Sequence, residues 1–136
     1  MSDCLFCKII KNEIPAQIVY EDAGVLAFLG INPNNPGHTL VISKNHCENL
    51  LDARGEDLRT LISVIPKIAK AICDSLDYEG FNLNVNNGAV AGQVVNHLHF
   101  HIIPRKAGDG HELFFGRPYE EGEIEEVGKQ IQKKLK

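Results

Sequence analysis

Three histidines in alternate positions, His97, His99 and His101, are the residues of this sequence with the clearest chemical potential. Successive residues of a β-strand point to opposite faces, so a strand here places the three imidazoles on one face and Leu98 and Phe100 on the other. Neutral imidazole is a nucleophile that can form a phosphoramidate intermediate, and a neighbouring imidazole can stabilise phosphate charge or pass a proton. The pattern indicates chemistry at phosphorus, with a row of solvated surface histidines as the alternative.

The spacing of the three rings divides their roles. Neighbouring residues on one strand face lie ~6.7 Å apart, which separates the outer two rings by ~13 Å. One phosphoryl group does not easily reach all three, so two rings can act on a substrate while the third binds something else.

A second motif, the C-x-x-C formed by Cys4 and Cys7, lies near the N-terminus. This is the spacing of half a tetrahedral zinc site, and a redox-active pair has the same spacing. The flanking sequence lacks the βαβ pattern of thioredoxin-like proteins, which favours a metal. Cys73 lies on a predicted helix and is expected in the core.

The hydrophobic pattern predicts the elements that position these residues. The predicted strands cover residues 17–21, 25–29, 39–43, 81–86 and 94–103. The predicted helices cover residues 4–12, 56–76, where Pro66 should kink or break the helix, and about 120–135. The order of strands, long helix, strands and helix predicts one α+β domain over residues 1–136, with a five-stranded, mainly antiparallel sheet.

Composition narrows the class of protein. The chain has 136 residues, of which 43% are hydrophobic and 24% charged, and its formal net charge of −4 disfavours binding to nucleic acid or an anionic membrane. No apolar run reaches the ~20 residues of a membrane-spanning helix, and the first residues lack the pattern of a signal peptide. We therefore expect a cytoplasmic protein.

The segment from Gly92 to Ile103 resembles the signature of the histidine triad family, in which three histidines alternate with hydrophobic residues. Other segments resemble the nucleotide-binding hydrolase branch of that family, namely residues 5–10, 19–22, 26–28 and 37–42. The resemblance implies a homodimer of five-stranded subunits. It also implies that His99 is the nucleophile, that His101 lies beside the phosphate, and that the substrates are nucleoside phosphoramidates, aminoacyl-adenylates or dinucleoside polyphosphates.

The resemblance further implies a site for a purine nucleotide or a nucleotide conjugate. Four apolar residues match its base pocket, with ordinary core packing as the alternative: Leu5, Phe6, Phe28 and Ile31. Three positions match its phosphate side: Asn86, Gly92 and Gln93. His38 matches a family histidine near the triad and is expected to orient the active histidines, with a surface residue at a strand end as the alternative.

A bacterial branch of the same family binds zinc, and its ligands match Cys4, Cys7, His46 and His97. The resemblance thus implies a structural zinc ion, because four protein ligands leave no open position for water. Cys47 stands next to His46 as a possible substitute, although adjacent residues on a strand face apart.

Two positions depart from the family pattern. Gly30 stands where an acidic residue commonly binds the ribose hydroxyls, and Val94 stands where a small hydroxyl residue commonly bonds near the scissile bond. These departures leave open a nucleotide-binding regulatory module with weak catalysis. A metalloenzyme in which the triad holds a catalytic metal is a further alternative, because His-x-His pairs occur in such sites.

Overall fold

The computed structural model describes residues 3–135, in which five strands form a single antiparallel sheet. The strands are β1 (Ile18–Glu21), β2 (Val25–Leu29), β3 (Thr39–Ser43), β4 (Gly80–Val85) and β5 (His99–Arg105). Their order across the sheet is β1-β2-β3-β5-β4, and each neighbouring pair is antiparallel. The helices are α1 (Leu5–Ile10), α2 (Gly55–Leu76) and α3 (Glu123–Leu135), with a short 3-10 helix at Ala89–Ala91. The predicted α+β class and five-stranded sheet are confirmed.

The two faces of the sheet bury two different apolar clusters. On one face, α2 packs against Val41, Phe100 and Ile102. On the other face, α1 contributes Phe6 and Ile9 to a cluster completed by Leu26, Phe28 and Ile42. Each fully buried side chain of this size favours folding by about 1.5–3 kcal/mol, so both faces are fixed by burial. The register pairs Ile42 with His99, which places the His99 ring on the face that α1 covers.

Helix α2 runs unbroken through Pro66, so of the two predicted outcomes, a kink or a break, the break is wrong. The buried stripe continues on both sides of the proline, with Leu61 and Ile65 before it and Ile68 after it. Pro66 is itself exposed, so water can reach the Ile62 carbonyl that the proline cannot bond. Packing against the sheet therefore outweighs one missing hydrogen bond.

Strand β5 begins at His99 instead of residue 94, so His97 lies before the strand and not on it. The strand also continues through Pro104 to Arg105, beyond its predicted end at residue 103. The Pro104 carbonyl accepts a hydrogen bond from the Asn35 side chain at 2.8 Å, on the side where β3 has already ended. The missing N–H of Pro104 faces the same side, so no bond between the strands is lost.

The two short terminal helices differ from their predicted bounds. Helix α1 begins after Cys4, whose Sγ accepts the Cys7 N–H at 3.4 Å and so caps the helix. Helix α3 begins at Glu123, and its apolar residues stay largely exposed, including Ile124 and Ile131.

Candidate functional site

Four predicted metal ligands meet in one cluster, although they come from three separate parts of the chain. The ligand atoms of Cys4, Cys7, His46 and His97 all lie within 4.8 Å of one another. His97 Nδ1 is 3.4 Å from Cys4 Sγ and 3.6 Å from Cys7 Sγ, and His46 Nδ1 is 3.4 Å from Cys7 Sγ. A tetrahedral zinc ion separates its sulfur and nitrogen ligands by about 3.5 Å. The donor set and its spacing therefore fit zinc.

The His97 ring is oriented for metal binding by a backbone carbonyl. Its Nε2 lies 2.7 Å from the Ser43 oxygen, which can only accept, so Nε2 bears the proton. Nδ1 is then unprotonated and points into the cluster, 3.1 Å from His46 Nδ1. Metal-binding histidines usually donate their other N–H in this way. Cys47, the possible substitute ligand, lies instead in the core beneath α2.

His99 is buried, and its tautomer is fixed by the residue two positions earlier. Its Nδ1 donates to the His97 carbonyl oxygen at 2.6 Å, which leaves Nε2 with a free lone pair. Burial lowers the pKa of the His99 imidazole, while the bond to His97 opposes this shift. The ring is therefore neutral at neutral pH, and its nucleophilic nitrogen is Nε2.

His38 and His101 form a second pair beside His99. The Asn34 N–H donates to His38 Nδ1 at 3.2 Å, so the neutral His38 ring carries its proton on Nε2. This Nε2 lies 3.0 Å from His101 Nδ1 and donates to it, so His101 retains its own proton on Nε2. The centroids of the His99 and His101 rings are 4.9 Å apart. The site thus places an N–H donor beside the nucleophile.

Burial, followed by the nearby His99 and His38, lowers the pKa of His101 to about 4. Burial also lowers the pKa of His38. At neutral pH the pair is therefore uncharged, and it acts through directed N–H groups rather than through a fixed positive charge.

The four residues predicted for the base pocket fall into two groups. Phe6 and Phe28 are buried and pack edge to face, with ring centroids 5.4 Å apart, and the Phe6 ring lies 5.0 Å from the His99 ring. Leu5 is 42% exposed and Ile31 94% exposed, so both lie at the surface. The buried pair connects the apolar core to His99, and the exposed pair is free to contact a ligand.

The loop between β4 and β5 holds the residues predicted for the phosphate side. Gly92 has a φ of 94°, a left-handed conformation that favours glycine, and a Cβ there would lie 3.5 Å from Asn86 Nδ2. The Gln93 amide is used within the loop: Nε2 donates to the Glu48 and Val95 carbonyls, and Oε1 accepts the Gly88 N–H. The side chain of Gln93 therefore holds the loop in shape instead of reaching outward to a phosphate.

The two positions that depart from the family pattern are both accessible to solvent, Gly30 in part and Val94 almost fully. Gly30 follows β2, and a Cβ at this position would lie 3.7 Å from the His38 carbonyl oxygen. Val94 is 91% exposed, and it lines a surface cavity of about 390 Å³ together with Leu5 and His46.

Some residues that shape the site carried no signal in the sequence. Ser43 acts through its carbonyl and Asn34 through its N–H, and any amino acid except proline supplies both groups. His111, in the segment that follows β5, is exposed. It nevertheless bonds to the Asn34 carbonyl at 2.6 Å.

The metal cluster bears on the hypothesis that the triad itself holds a catalytic metal. Within residues 3–135, the cluster that can hold an ion takes only His97 from the triad. His99 and His101 are engaged instead with the His97 carbonyl and with His38. This arrangement does not favour the metalloenzyme.

Within residues 3–135, no helix combines the length and apolar composition needed to cross a membrane.

Comparison with known sequences links the chain to one family. A model of the HIT domain matches residues 11–108. An uncharacterized HIT-like protein of Methanocaldococcus jannaschii is 49% identical over 128 residues, which cover 94% of this chain and 98% of the relative. The adenosine 5′-monophosphoramidase of Schizosaccharomyces pombe is 39% identical over 136 residues, which cover 98% of each protein.

Solved structures agree with the sequence matches. A member of the HIT family from Bacillus subtilis superposes with a TM-score of 0.90 at 42% identity, covering 98% of each chain. A Zn-bound histidine triad family protein from Mycobacterium smegmatis superposes with a TM-score of 0.77 at 36% identity, covering 98% of this chain and 96% of that one.

Proposed function

Since the chain belongs to the histidine triad (HIT) family, we propose that it is a nucleotidyl hydrolase or transferase acting through a covalent intermediate on His99. The proposed substrates are nucleoside phosphoramidates, adenylates or dinucleoside polyphosphates, which are cleaved at the α-phosphate. The observation that carries the proposal is the bond from His99 Nδ1 to the His97 carbonyl, because it leaves Nε2 as an unprotonated nucleophile. The phosphoramidase name of the fission-yeast relative supports the same substrate class.

The proposed reaction has two displacements at phosphorus. In the first, His99 Nε2 forms a bond to the α-phosphorus while the bond to the leaving group breaks; the leaving group takes a proton from water, and Nδ1–H stays bonded to the His97 carbonyl. In the second, water forms a bond to the same phosphorus and gives up one proton to solvent while the bond to His99 Nε2 breaks, which releases the nucleoside monophosphate and free His99. His101 Nε2–H donates to a non-bridging phosphate oxygen in both transition states and stabilises its negative charge.

We also propose that Cys4, Cys7, His46 and His97 hold a structural zinc ion. Bound zinc would supply a covalent link between the start of α1 and the segment before β5. His97 then joins the two sites, since its ring faces the metal cluster and its carbonyl orients His99. The Zn-bound relative from Mycobacterium smegmatis supports this assignment.

The test of the covalent step is direct trapping. The protein is incubated with adenosine 5′-phosphoramidate and quenched in base, and we expect a mass increase of one adenylyl group on the peptide that contains His99. His99→Ala and His99→Asn should remove both the adduct and the turnover, with their melting temperatures measured to show that they are folded. Full turnover in folded His99→Ala would refute the assignment.

Gly30 and Val94 support a second candidate, a nucleotide-binding regulatory module with weak catalysis. Neither residue has a side-chain hydrogen-bond donor or acceptor for the ribose or for the leaving group. Tight nucleotide binding with negligible turnover across phosphoramidates, adenylates and dinucleoside polyphosphates would favour this candidate over the enzyme.

We further propose a cytoplasmic homodimer. Strand β4 is an edge strand, and its Phe81 and Leu83 are 43% and 39% exposed, which supports a subunit contact on this side. The molar mass in solution, measured by light scattering, tests this proposal.

A further inference from the structure

We propose that His111 is a positioning residue for the reaction, because its ring fixes the loop that orients His38 and, through it, His101. The inference rests on the proposed function, since it concerns how the N–H donor beside His99 is held. His111 is exposed, and it lies twelve residues after His99 in a segment that follows β5.

The hydrogen bonds form one continuous path from His111 at the surface to His101 beside the nucleophile. His111 Nε2 lies 2.6 Å from the Asn34 carbonyl oxygen and donates to it. The N–H of the same Asn34 donates to His38 Nδ1 at 3.2 Å, and His38 Nε2 donates to His101 Nδ1 at 3.0 Å. The bond from His111 holds Asn34 in place, and the next two bonds set which nitrogen of His38 and then of His101 is protonated, so a shift of Asn34 reaches His101.

His111 can hold Asn34 because its own segment is fixed. The Asp109 side chain is 5% exposed and accepts two hydrogen bonds from Arg105, at 2.7 and 3.0 Å, and one from the His111 N–H at 3.1 Å. The Arg105 guanidinium holds the pKa of Asp109 well below its usual range, so the carboxylate stays ionised. The hydrogen bonds of Asp109 therefore fix the backbone of the segment that carries the His111 ring.

The loop that carries Asn34 is attached to the same segment through the next residue, Asn35. The buried Asn35 side chain donates from Nδ2 to the Pro104 carbonyl at 2.8 Å and to Asp109 at 3.0 Å. Asn35 fixes where the loop runs. His111 holds the peptide that follows Asn34, and the N–H facing His38 belongs to the adjoining peptide that precedes Asn34. Loss of the His111 bond should thus loosen Asn34 locally without unfolding the loop.

The experiment measures kcat and KM with adenosine 5′-phosphoramidate for wild type, His111→Ala and His111→Gln. Loss of a neutral hydrogen bond corresponds to a change of about 2- to 12-fold, so we expect His111→Ala to lower kcat by about this factor with little change in KM. Glutamine places an N–H donor near the position of Nε2, and we expect it to restore most of kcat. Glu112→Ala, at the exposed neighbouring position, is the matched control and should match wild type.

A double-mutant cycle separates positioning from a general effect on the fold. If His111 acts through His38, adding His111→Ala to His38→Ala should lower kcat no further, because the path is already broken. Additive losses in the cycle, or equal losses in His111→Gln and His111→Ala, would overturn the proposal. An unchanged kcat in His111→Ala would overturn it as well.

A measurement without substrate keeps the inference separate from the proposed function. The ¹⁵N chemical shift of His38 Nδ1 reports the bond from Asn34, and it should move toward the value of a free imidazole in His111→Ala but not in Glu112→Ala. If wild type has no turnover, the proposed function fails, and this shift still decides the role of His111. An unchanged shift refutes it.

Discussion

Replacing Gly30 by aspartate should create a ribose contact and strengthen nucleotide binding. Gly30 is not among the glycines with a left-handed backbone, and the nearest atom to an added Cβ is the His38 carbonyl oxygen at 3.7 Å, an ordinary contact. The substitution should therefore fit without strain. Gly30 lies two residues after Phe28, so an extended chain directs the new carboxylate to the same face as the Phe28 ring.

The size of the effect follows from the strength of hydrogen bonds to charged groups, about 1.5–3 kcal/mol each. One such bond between the carboxylate and a ribose hydroxyl corresponds to a tightening of about 10- to 150-fold, since about 1.4 kcal/mol is a factor of ten. Gly30 is partly exposed, so water competes for the bond. We expect the lower end, about tenfold.

Calorimetric titration with AMP and with 2′,3′-dideoxy-AMP measures this contact. We expect Gly30→Asp to tighten AMP binding about tenfold relative to the dideoxy analogue, because repulsion between carboxylate and phosphate affects both ligands alike. Gly30→Ala controls for the added Cβ, and Gly30→Asn controls for size without charge. An affinity ratio between the two ligands that is the same in Gly30→Asp and wild type would refute the reasoning.

Three further predictions concern the metal, the pH dependence and the loop. Wild type should contain about one zinc per chain by elemental analysis, and Cys4→Ser with Cys7→Ser should abolish it and lower the melting temperature; unchanged zinc would refute the ligand set. The pKa of His101 in the folded protein, about 4, lies below its ordinary value of 6.5, so its contribution to stability is complete above pH 6.5 and lost as the pH falls toward 4. The free energy of unfolding, measured with urea in one zinc-containing buffer, should thus fall less with decreasing pH in His101→Asn than in wild type. An equal fall in both proteins would contradict the lowered pKa of His101. Gln93→Met leaves several buried groups unpaired and should cost about 2–4 kcal/mol of unfolding free energy, whereas the exposed Val94→Ala should change it by less than about 0.5 kcal/mol.

The sequence alone determined the class of fold and the chemical types in the site. Alternating residues in β5 separated His99 and His101 from the buried Phe100 and Ile102, because side-chain direction in a strand depends only on position. The order of helices and strands likewise predicted the antiparallel sheet. These features follow from local patterns of burial that a single segment contains.

Other features depended on contacts between distant segments. Pro66 lies within a continuous α2 because the apolar stripe on both sides packs against the sheet, and local propensity does not include that packing. His97 leaves the strand, which brings its ring to Cys4 and His46 and its carbonyl to His99.

The tertiary structure alone decided which nitrogen of each histidine carries the proton. The carbonyls of Ser43 and His97 and the N–H of Asn34 set the three tautomers, and these are backbone groups common to nearly all amino acids. A sequence identifies a histidine as able to attack phosphorus or bind a metal. The fold decides which of these it does, because it aims a backbone donor or acceptor at one side of the ring and leaves the other side free.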